Sequence, residues 1–195
     1  MFWSKLLVHI LSLTPLGLLV WGTVTNDLGP DPQETLLNTT GIWALRLLLI
    51  TLALSPIRYL SGWGKAIRYR RMLGLYAAFY LLLHLITFLW FFLGWDLSQL
   101  FDEIIERPYI TVGMGAFVIM LFLSITSTKA MQKRLGKRWK ALHKWVYVAG
   151  VLAVVHFIWQ SKLDLNQPLL YAFILSALLG VRFWWFFIRK PVQNA

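Results

Sequence analysis

Four histidines fall in or at the edge of long apolar stretches in this chain of 195 residues: His9, His84, His143 and His156. A neutral imidazole can ligate a metal, relay a proton or hydrogen-bond a neighbouring helix. The sequence contains no cysteine, which excludes disulfides, thiolate zinc sites, iron–sulfur clusters and covalently attached c-type haem. The four histidines are therefore candidate ligands for a metal centre.

The depth of each histidine depends on the apolar stretch that contains it. The sequence is 58% hydrophobic and 14% charged, against roughly 45–50% and about 25% in soluble domains. A membrane-spanning helix needs about 20 mostly apolar residues. Six stretches meet or approach that length: 5–24, 42–57, 72–95, 110–127, 145–160 and 168–188. We predict an all-α, polytopic membrane bundle of six transmembrane helices, a single domain over residues 1–195, with no convincing internal repeat.

Charge alternates between the segments that connect these stretches. All eight acidic residues lie in the segments after the first, third and fifth stretches, where Arg107 and Lys162 are the only basic residues. The segments after the second and fourth stretches are purely basic, and Lys190 adds to a basic carboxyl terminus. The positive-inside rule places the basic segments and both termini in the cytoplasm of a bacterium, and the acidic segments in its periplasm. The net charge of +11 thus reflects topology and attraction to anionic membrane lipid rather than nucleic-acid binding.

His84 and His156 are predicted to share one depth. His84 lies 13 residues after Arg71 and His156 lies 13 residues after His143, the residues near which their stretches enter from the cytoplasm, or about 20 Å along a helix. Two histidines facing each other could ligate a b-type haem iron from both sides, which leaves no open position for a substrate and suits electron transfer. The alternative is that each histidine hydrogen-bonds a neighbouring helix. No acidic residue lies within a stretch, so a zinc site or a proton relay lacks its usual carboxylates.

Three further residues are weaker candidates for cofactor binding. His9 and His143 are predicted to lie at one depth near the cytoplasmic surface, where they could ligate a second haem; alternatively, His143 is an interfacial residue beside Lys144. Arg46 lies inside the second stretch, toward the level of the deeper histidine pair. Its guanidinium could donate to a haem propionate or a quinone oxygen, or extend to the outer interface.

Two charged segments are candidates for surface roles. Asp96, Asp102, Glu103 and Glu106 could dock a basic face of a periplasmic protein, although such acids are also ordinary in an outer loop. The basic segment 128–144 has the composition of an interfacial amphipathic helix.

Several segments together carry a resemblance that covers nearly the whole chain. They are LGPDPQE (28–34), TGIWALR (40–46), RYRRMLGL (68–75), ERPYITVG (106–113), SITSTKAMQKRLGKRWKALHKWVYV (124–148) and VHFIWQSK (155–162). With these motifs the chain resembles the haem-binding membrane subunits of periplasmic methionine sulfoxide reductase systems. Those subunits belong to the ferric-reductase-like transmembrane family.

The resemblance implies a bacterial inner-membrane protein with one or two b-type haems per chain and with FMN. Such a subunit takes electrons from quinol and passes them to a periplasmic molybdopterin-containing catalytic subunit, which repairs methionine sulfoxide in oxidised proteins. The haem histidines of the family match His84, His143 and His156, and His9 also has a counterpart. The chain would then be an electron-transfer subunit without catalytic residues of its own.

The sequence departs from the wider family in two respects. NADPH oxidases and eukaryotic ferric reductases carry two histidines on each of two helices, whereas the third stretch here has only His84. Those relatives also continue into a cytosolic nicotinamide-binding domain, which we do not expect here after Arg189, so we expect electrons from quinol or a separate reductase. The basic segment 129–144 could hold the FMN phosphate, but it contains no GxGxxG or P-loop pattern.

Two alternatives to an electron-transfer subunit remain open. One is a self-contained metal or quinone reductase, and the other is a non-redox membrane scaffold with structural histidines.

Overall fold

The computed structural model describes residues 2–161 and 164–189, which form helices and no β-strand. Lys162 and Lys190 of the charge pattern lie outside these residues. Six helical segments are long and apolar enough to cross a membrane: Phe2–Val24, Pro32–Ser61, Gly64–Phe91, Pro108–Ile125, Lys137–Gln160 and Asn166–Ile188. The prediction of an all-α bundle with six transmembrane helices is confirmed, and the chain is a multi-pass membrane protein. We call the end with the acidic connections the acidic end, and the opposite one the basic end.

Nine α-helices follow one another along the described chain, with 3-10 turns at Gly64–Tyr69 and His143–Trp145 and π-helical turns at Trp184–Arg189. Their bounds are α1 Phe2–Val24, α2 Pro32–Ser61, α3 Arg70–Phe91, α4 Leu97–Glu106, α5 Pro108–Ile125, α6 Lys129–Leu135, α7 Lys137–Leu142, α8 Val146–Gln160 and α9 Asn166–Phe183. The packing of α2 on α3 and of α5 on α8 is the most extensive between helices.

Helix α2 begins ten residues before its predicted apolar stretch. The Asp31 side chain accepts the backbone N–H of Glu34 at 3.0 Å, and Pro32 occupies the first turn, where its missing N–H costs nothing. The polar first turns of α2 therefore extend the helix at the acidic end. This extension matters for function, because it carries Leu37 and Gly41 toward α3.

Helix α4 is an amphipathic helix where the sequence predicted only a loop. The Asp96 carboxylate accepts the hydroxyl of Ser98 at 2.6 Å and backbone N–H groups of the first turn, which lowers the pKa of Asp96. Leu97, Phe101 and Ile105 recur every four residues and are all exposed on one face. This pattern is typical of a helix lying in the membrane interface.

The basic segment 128–144 forms two short helices rather than one amphipathic helix. Thr128 caps α6 by accepting the backbone N–H of Met131 at 3.2 Å. Gly136 then separates α6 from α7 with a positive φ of 50°, a conformation that L side chains rarely adopt.

Helix α1 is attached to α3 at a proline. Pro15 has no N–H, and the hydroxyl of Tyr80 reaches the same turn of α1. This hydroxyl donates to the Ser12 carbonyl at 2.8 Å and accepts the Leu16 N–H at 3.1 Å, two groups that pair with each other in a regular helix. Tyr80 is fully buried, so both of its hydrogen bonds are shielded from water.

Helix α9 is attached to α2 at a second proline. Pro56 removes the N–H that would pair with the Leu52 carbonyl. The guanidinium of Arg182 on α9 donates to this carbonyl and to the hydroxyl of Tyr147 on α8, the latter at 2.5 Å. Arg182 is only 6% exposed, and these contacts compensate part of the cost of burying its charge.

We predict that the stabilising effect of Arg182 depends on Pro56. Arg182→Met leaves the Leu52 carbonyl without a donor and should lower the free energy of unfolding by roughly 1–3 kcal/mol. Pro56→Ala restores the backbone donor, so the same replacement should cost less than half as much in that background. Unfolding of the wild type, the two single variants and the double variant in detergent micelles measures the cost of Arg182→Met in both backgrounds. Equal costs in the two backgrounds would contradict the pairing.

Candidate functional site

The bundle brings His84 on α3 and His156 on α8 together near the acidic end. Their ring centroids are 6.3 Å apart, and the ring planes make an angle of 81°. Both side chains are half-buried and line one cavity between the helices. The structure therefore brings together the two histidines that the prediction from helical depth named.

Backbone carbonyls determine which nitrogen of each imidazole carries hydrogen. The Nδ1 atom of His84 lies 2.9 Å from the Leu37 carbonyl on α2, and that of His156 lies 2.7 Å from the Tyr109 carbonyl on α5. Because a carbonyl oxygen only accepts, each Nδ1 must be the donor. The lone pair of each neutral ring is then on Nε2, which is the form that ligates a metal.

Two glycines allow the rings to approach the neighbouring helices. A Cβ added to Gly41 on α2 would lie 2.9 Å from Nδ1 of His84. A Cβ added to Gly113 on α5 would lie 2.7 Å from Nδ1 of His156. Any side chain at either position would push the ring away from the carbonyl that holds it. Glycine is therefore required by close packing at these two positions.

The two halves of the site are an internal repeat, which the sequence did not reveal. Leu37, Gly41 and His84 of the first half lie 72 positions before Tyr109, Gly113 and His156 of the second. The hydrogen bonds are equivalent in both halves, because the histidine lies 47 positions after the carbonyl-bearing residue in each. Buried alanines also correspond, at 44 and 116 and at 77 and 149. The expectation of no internal repeat was wrong. The halves share only a few small residues and one histidine each, and the apolar residues around these positions differ, which hides the repeat in the sequence.

The cavity between the halves has a volume of about 670 Å³. Its wall contains the two histidines and the four repeated alanines, whose small side chains leave the space open. Its mouth at the acidic end is lined by charged and amide side chains: Asp31, Glu34, Asn38, Arg107, Gln160 and Asp164. An apolar cavity with a polar mouth suits a flat, mainly apolar ligand that carries charged groups at one edge.

The spacing of the two imidazoles fits one metal ion between them. A metal–imidazole bond is about 2.0–2.1 Å long and a ring nitrogen lies roughly 1.1 Å from the ring centre, so two rings on opposite sides of an ion have centroids about 6.3 Å apart. The observed separation is 6.3 Å. Among the described residues, no group of three or more histidine or acidic side chains could hold an ion. His84 and His156 would hold a haem, a group that needs only two ligands from the protein and would supply one-electron chemistry.

Arg46 is held away from the cavity by its own partners. Its Nε donates to the Tyr171 hydroxyl on α9 at 2.7 Å, and its guanidinium lies over the Trp43 ring at 4.9 Å. It does not contribute to the cavity wall. This arrangement does not provide the contact with a propionate or quinone that the sequence suggested for Arg46.

Arg107 is a site residue that the sequence reasoning missed. It lines the cavity mouth, forms an ion pair with Glu103 at 2.9 Å and donates to the Tyr109 hydroxyl at 3.3 Å. The Tyr109 hydroxyl, and then nearby carboxylates, raise the pKa of Arg107, so its charge is permanent. One signal was available, since Arg107 is one of only two basic residues in the acidic segments.

The structure does not bring His9 and His143 together. The exposed His9 has Nδ1 2.7 Å from the Tyr76 hydroxyl, and His143 has Nε2 3.1 Å from the Thr126 hydroxyl. His143 also stacks on Trp139, with 4.0 Å between ring centroids. No hydrogen bond or ring contact joins the two histidines within residues 2–161. The counterpart of His143 in the repeat is Arg71, which is no haem ligand.

Comparison with known proteins shows the family of this chain. A model of the family described as "Ferric reductase like transmembrane component" matches residues 40–154, a range that contains α3, α5 and most of α2 and α8. The chain belongs to this family. Curated relatives named "Protein-methionine-sulfoxide reductase heme-binding subunit MsrQ" match almost the whole chain. The protein from Xanthomonas axonopodis pv. citri is 48% identical over 187 residues, covering 93% of this chain and 86% of the relative. That from Herminiimonas arsenicoxydans is 44% identical over 194 residues, covering 98% and 89%.

Proposed function

We propose that this protein is a membrane electron-transfer subunit with a b-type haem between His84 and His156. One observation carries the proposal: two histidines whose Nδ1 atoms are held by backbone carbonyls line one cavity, with their ring centroids at the spacing that one metal ion requires. The relatives named as haem-binding subunits support the same reading. A haem with two histidine ligands exchanges single electrons and leaves no position for a substrate.

The electron path follows from the position of the site. By the positive-inside rule, the charge pattern predicts that the acidic end faces the periplasm and that both termini lie in the cytoplasm of a bacterial inner membrane. We take quinol as the electron donor and a periplasmic molybdopterin-containing methionine sulfoxide reductase as the acceptor. The haem cavity lies near the acidic end, which supports delivery of electrons to that side. This position also favours the subunit role over a self-contained metal or quinone reductase.

We propose two further cofactors on the basis of the family resemblance. FMN is one, and the basic helices α6 and α7 are the candidate segment for its phosphate. A second haem on His143 is the other. Because Thr126 contacts Nε2 of His143, ligation through that nitrogen requires the ring to leave Thr126. His9 is the remaining candidate for a partner to His143, and its ring would have to leave Tyr76 to act as one through Nδ1.

The haem assignment predicts a specific set of spectral losses. His84→Ala and His156→Ala should abolish the Soret band of the site, because each removes one axial ligand. Gly41→Ala and Gly113→Ala should reduce the haem content severalfold, because a methyl group displaces the ring. Gly180→Ala is the control, since a Cβ there meets nothing within 4 Å. Absorption spectra with haem quantified per chain provide the measurement.

The outcomes of this experiment separate the alternatives. Colourless wild-type protein would support the membrane scaffold and remove the haem proposal. Full haem content in His84→Ala would exclude His84 as a ligand. Equal haem content in the Gly180 and Gly113 variants would contradict the close-packing requirement.

Arg107 is predicted to raise the reduction potential of the haem. Its positive charge lines the cavity mouth, where propionates would lie, and reduction adds a negative charge nearby. Arg107→Gln should therefore lower the potential by tens of millivolts, whereas Arg107→Lys should lower it less. Arg46→Gln is the matched comparison, because Arg46 is bound to Tyr171 outside the cavity wall. Potentiometric titration of the haem spectrum measures the reduction potential of all three variants. A larger decrease in Arg46→Gln than in Arg107→Gln would contradict the position of Arg107 as the charge nearer the haem.

The acidic face of α4 is the proposed docking surface for the periplasmic partner. Asp102 and Glu106 are exposed there, and Leu100 of the same helix lines the haem cavity. Reversing both charges to lysine should slow electron delivery to the partner and weaken its dependence on salt. Asp27→Lys, at the same end but on the α1–α2 connection, is the control. Unchanged delivery and salt dependence in the double variant would exclude docking at α4.

A further inference from the structure

An apolar groove runs between α3 and α5 on the outside of the haem cavity. Its volume is about 280 Å³. The lining residues are all apolar except for one serine: Leu75, Ala78, Phe79, Leu81, Leu82, Phe117, Met120, Leu121 and Ser124. Phe79, Leu82 and Leu121 are 37–45% exposed, so the groove is open on the lipid-facing side of the described bundle.

The groove is the repeat counterpart of the surface on which α9 packs. On that surface, Leu175 of α9 would touch a Cβ at Gly150 and lies in one cluster with side chains of α2 and α8. The surface residues are Leu45, Leu49, Leu52, Gly150 and Val154, and their counterparts 72 positions away are Phe117, Leu121, Ser124, Ala78 and Leu82. All five counterparts line the groove. The repeat has therefore produced two equivalent surfaces, and within the described residues α9 covers one of them.

The polar contacts that fix α9 have no equivalent in the groove. Arg182 reaches a Leu52 carbonyl that Pro56 has freed, whereas the corresponding Ser124 carbonyl already accepts the N–H groups of Thr126 and Ser127. The counterpart of Arg46, which binds Tyr171, is the apolar Val118. Ser124 itself donates to the Met120 carbonyl at 2.8 Å. A surface with no free polar group suits a flexible apolar chain better than a helix held in one position.

The groove also shares a wall with the histidine cavity. Leu81, Phe117 and Met120 line both spaces, so one layer of side chains separates them. A chain lying in the groove would extend from the lipid to within one side chain of the proposed haem. This shared wall favours an occupant that reacts at the redox site over bulk lipid.

We propose that the α3–α5 groove binds the isoprenoid tail of a membrane quinol. The inference rests on the proposed function, because it takes quinol as the electron donor. It adds the place where the apolar part of that donor binds. Because lipid tails are as apolar as the groove, the gain is van der Waals packing against a surface of fixed shape, which raises the residence of the quinol beside the cavity.

Filling the groove tests the proposal. Ala78→Leu and Ser124→Leu each occupy part of the groove, and Ala177→Leu and Ser176→Leu make the same changes at exposed positions of α9. Haem reduction is followed by stopped flow with the holoprotein in nanodiscs, using ubiquinol with a two-unit isoprenoid tail and tail-less duroquinol. The groove variants should be reduced about tenfold more slowly by the tailed quinol. Reduction by duroquinol, and all rates of the two α9 variants, should stay unchanged.

A photoreactive isoprenoid quinone gives a direct second readout. It should label peptides of α3 and α5 in the wild type, and Ala78→Leu should remove that label. Wild-type rates in both groove variants would overturn the groove assignment while leaving the proposed function intact. A wild-type haem that dithionite reduces and neither quinol reduces would instead reject the quinol donor. Label displaced by phospholipid alone, or cross-links between two copies of the chain at the groove, would show a different occupant and overturn the proposal.

Discussion

The hydrogen bond from an imidazole N–H to a backbone carbonyl is the contact on which the rest of the site depends. It occurs twice, from His84 to Leu37 and from His156 to Tyr109. Each bond fixes one tautomer, leaves Nε2 as the metal-ligating nitrogen and requires glycine one helical turn along the carbonyl-bearing helix. Helix α2 must therefore start early, at Pro32, because a helix confined to its apolar stretch would not contain Leu37. The haem proposal follows from these two bonds more than from the presence of histidine.

The internal repeat explains the symmetry of the site, and divergence between its two halves explains the asymmetry around it. The pairs α2–α3 and α5–α8 supply equivalent halves, with matching carbonyls, glycines, alanines and histidines. Outside this core the halves differ in single residues that have large consequences. Pro56 frees a carbonyl that Arg182 binds, which attaches α9 to one half only. Arg71 stands where the other half has His143, so the basic end lacks a symmetric ligand pair. One symmetric site and one uncovered groove follow from this divergence.

The sequence predicted the spans and the meeting of His84 with His156, because apolar length and charge determine how deep a residue lies. It could not predict which way a side chain faces around its helix axis. Arg46 was therefore expected near the cofactor although it faces Tyr171, and Arg107 was overlooked although it lines the cavity mouth. Helix α4 was missed because its apolar face repeats every four residues in a segment that also holds four acids. The repeat escaped notice because bilayer-facing positions accept any apolar residue, and this variation hides the few positions that correspond.

The central claim is that one haem iron lies between two nearly perpendicular imidazoles, and electron paramagnetic resonance of the oxidised protein tests it most directly. Perpendicular imidazole planes give a highly anisotropic low-spin ferric signal, whereas parallel planes give a rhombic one. The 81° angle between His84 and His156 predicts the highly anisotropic signal, and its loss in His84→Ala. A high-spin signal, or a rhombic low-spin signal that disappears in the same variant, would contradict the account.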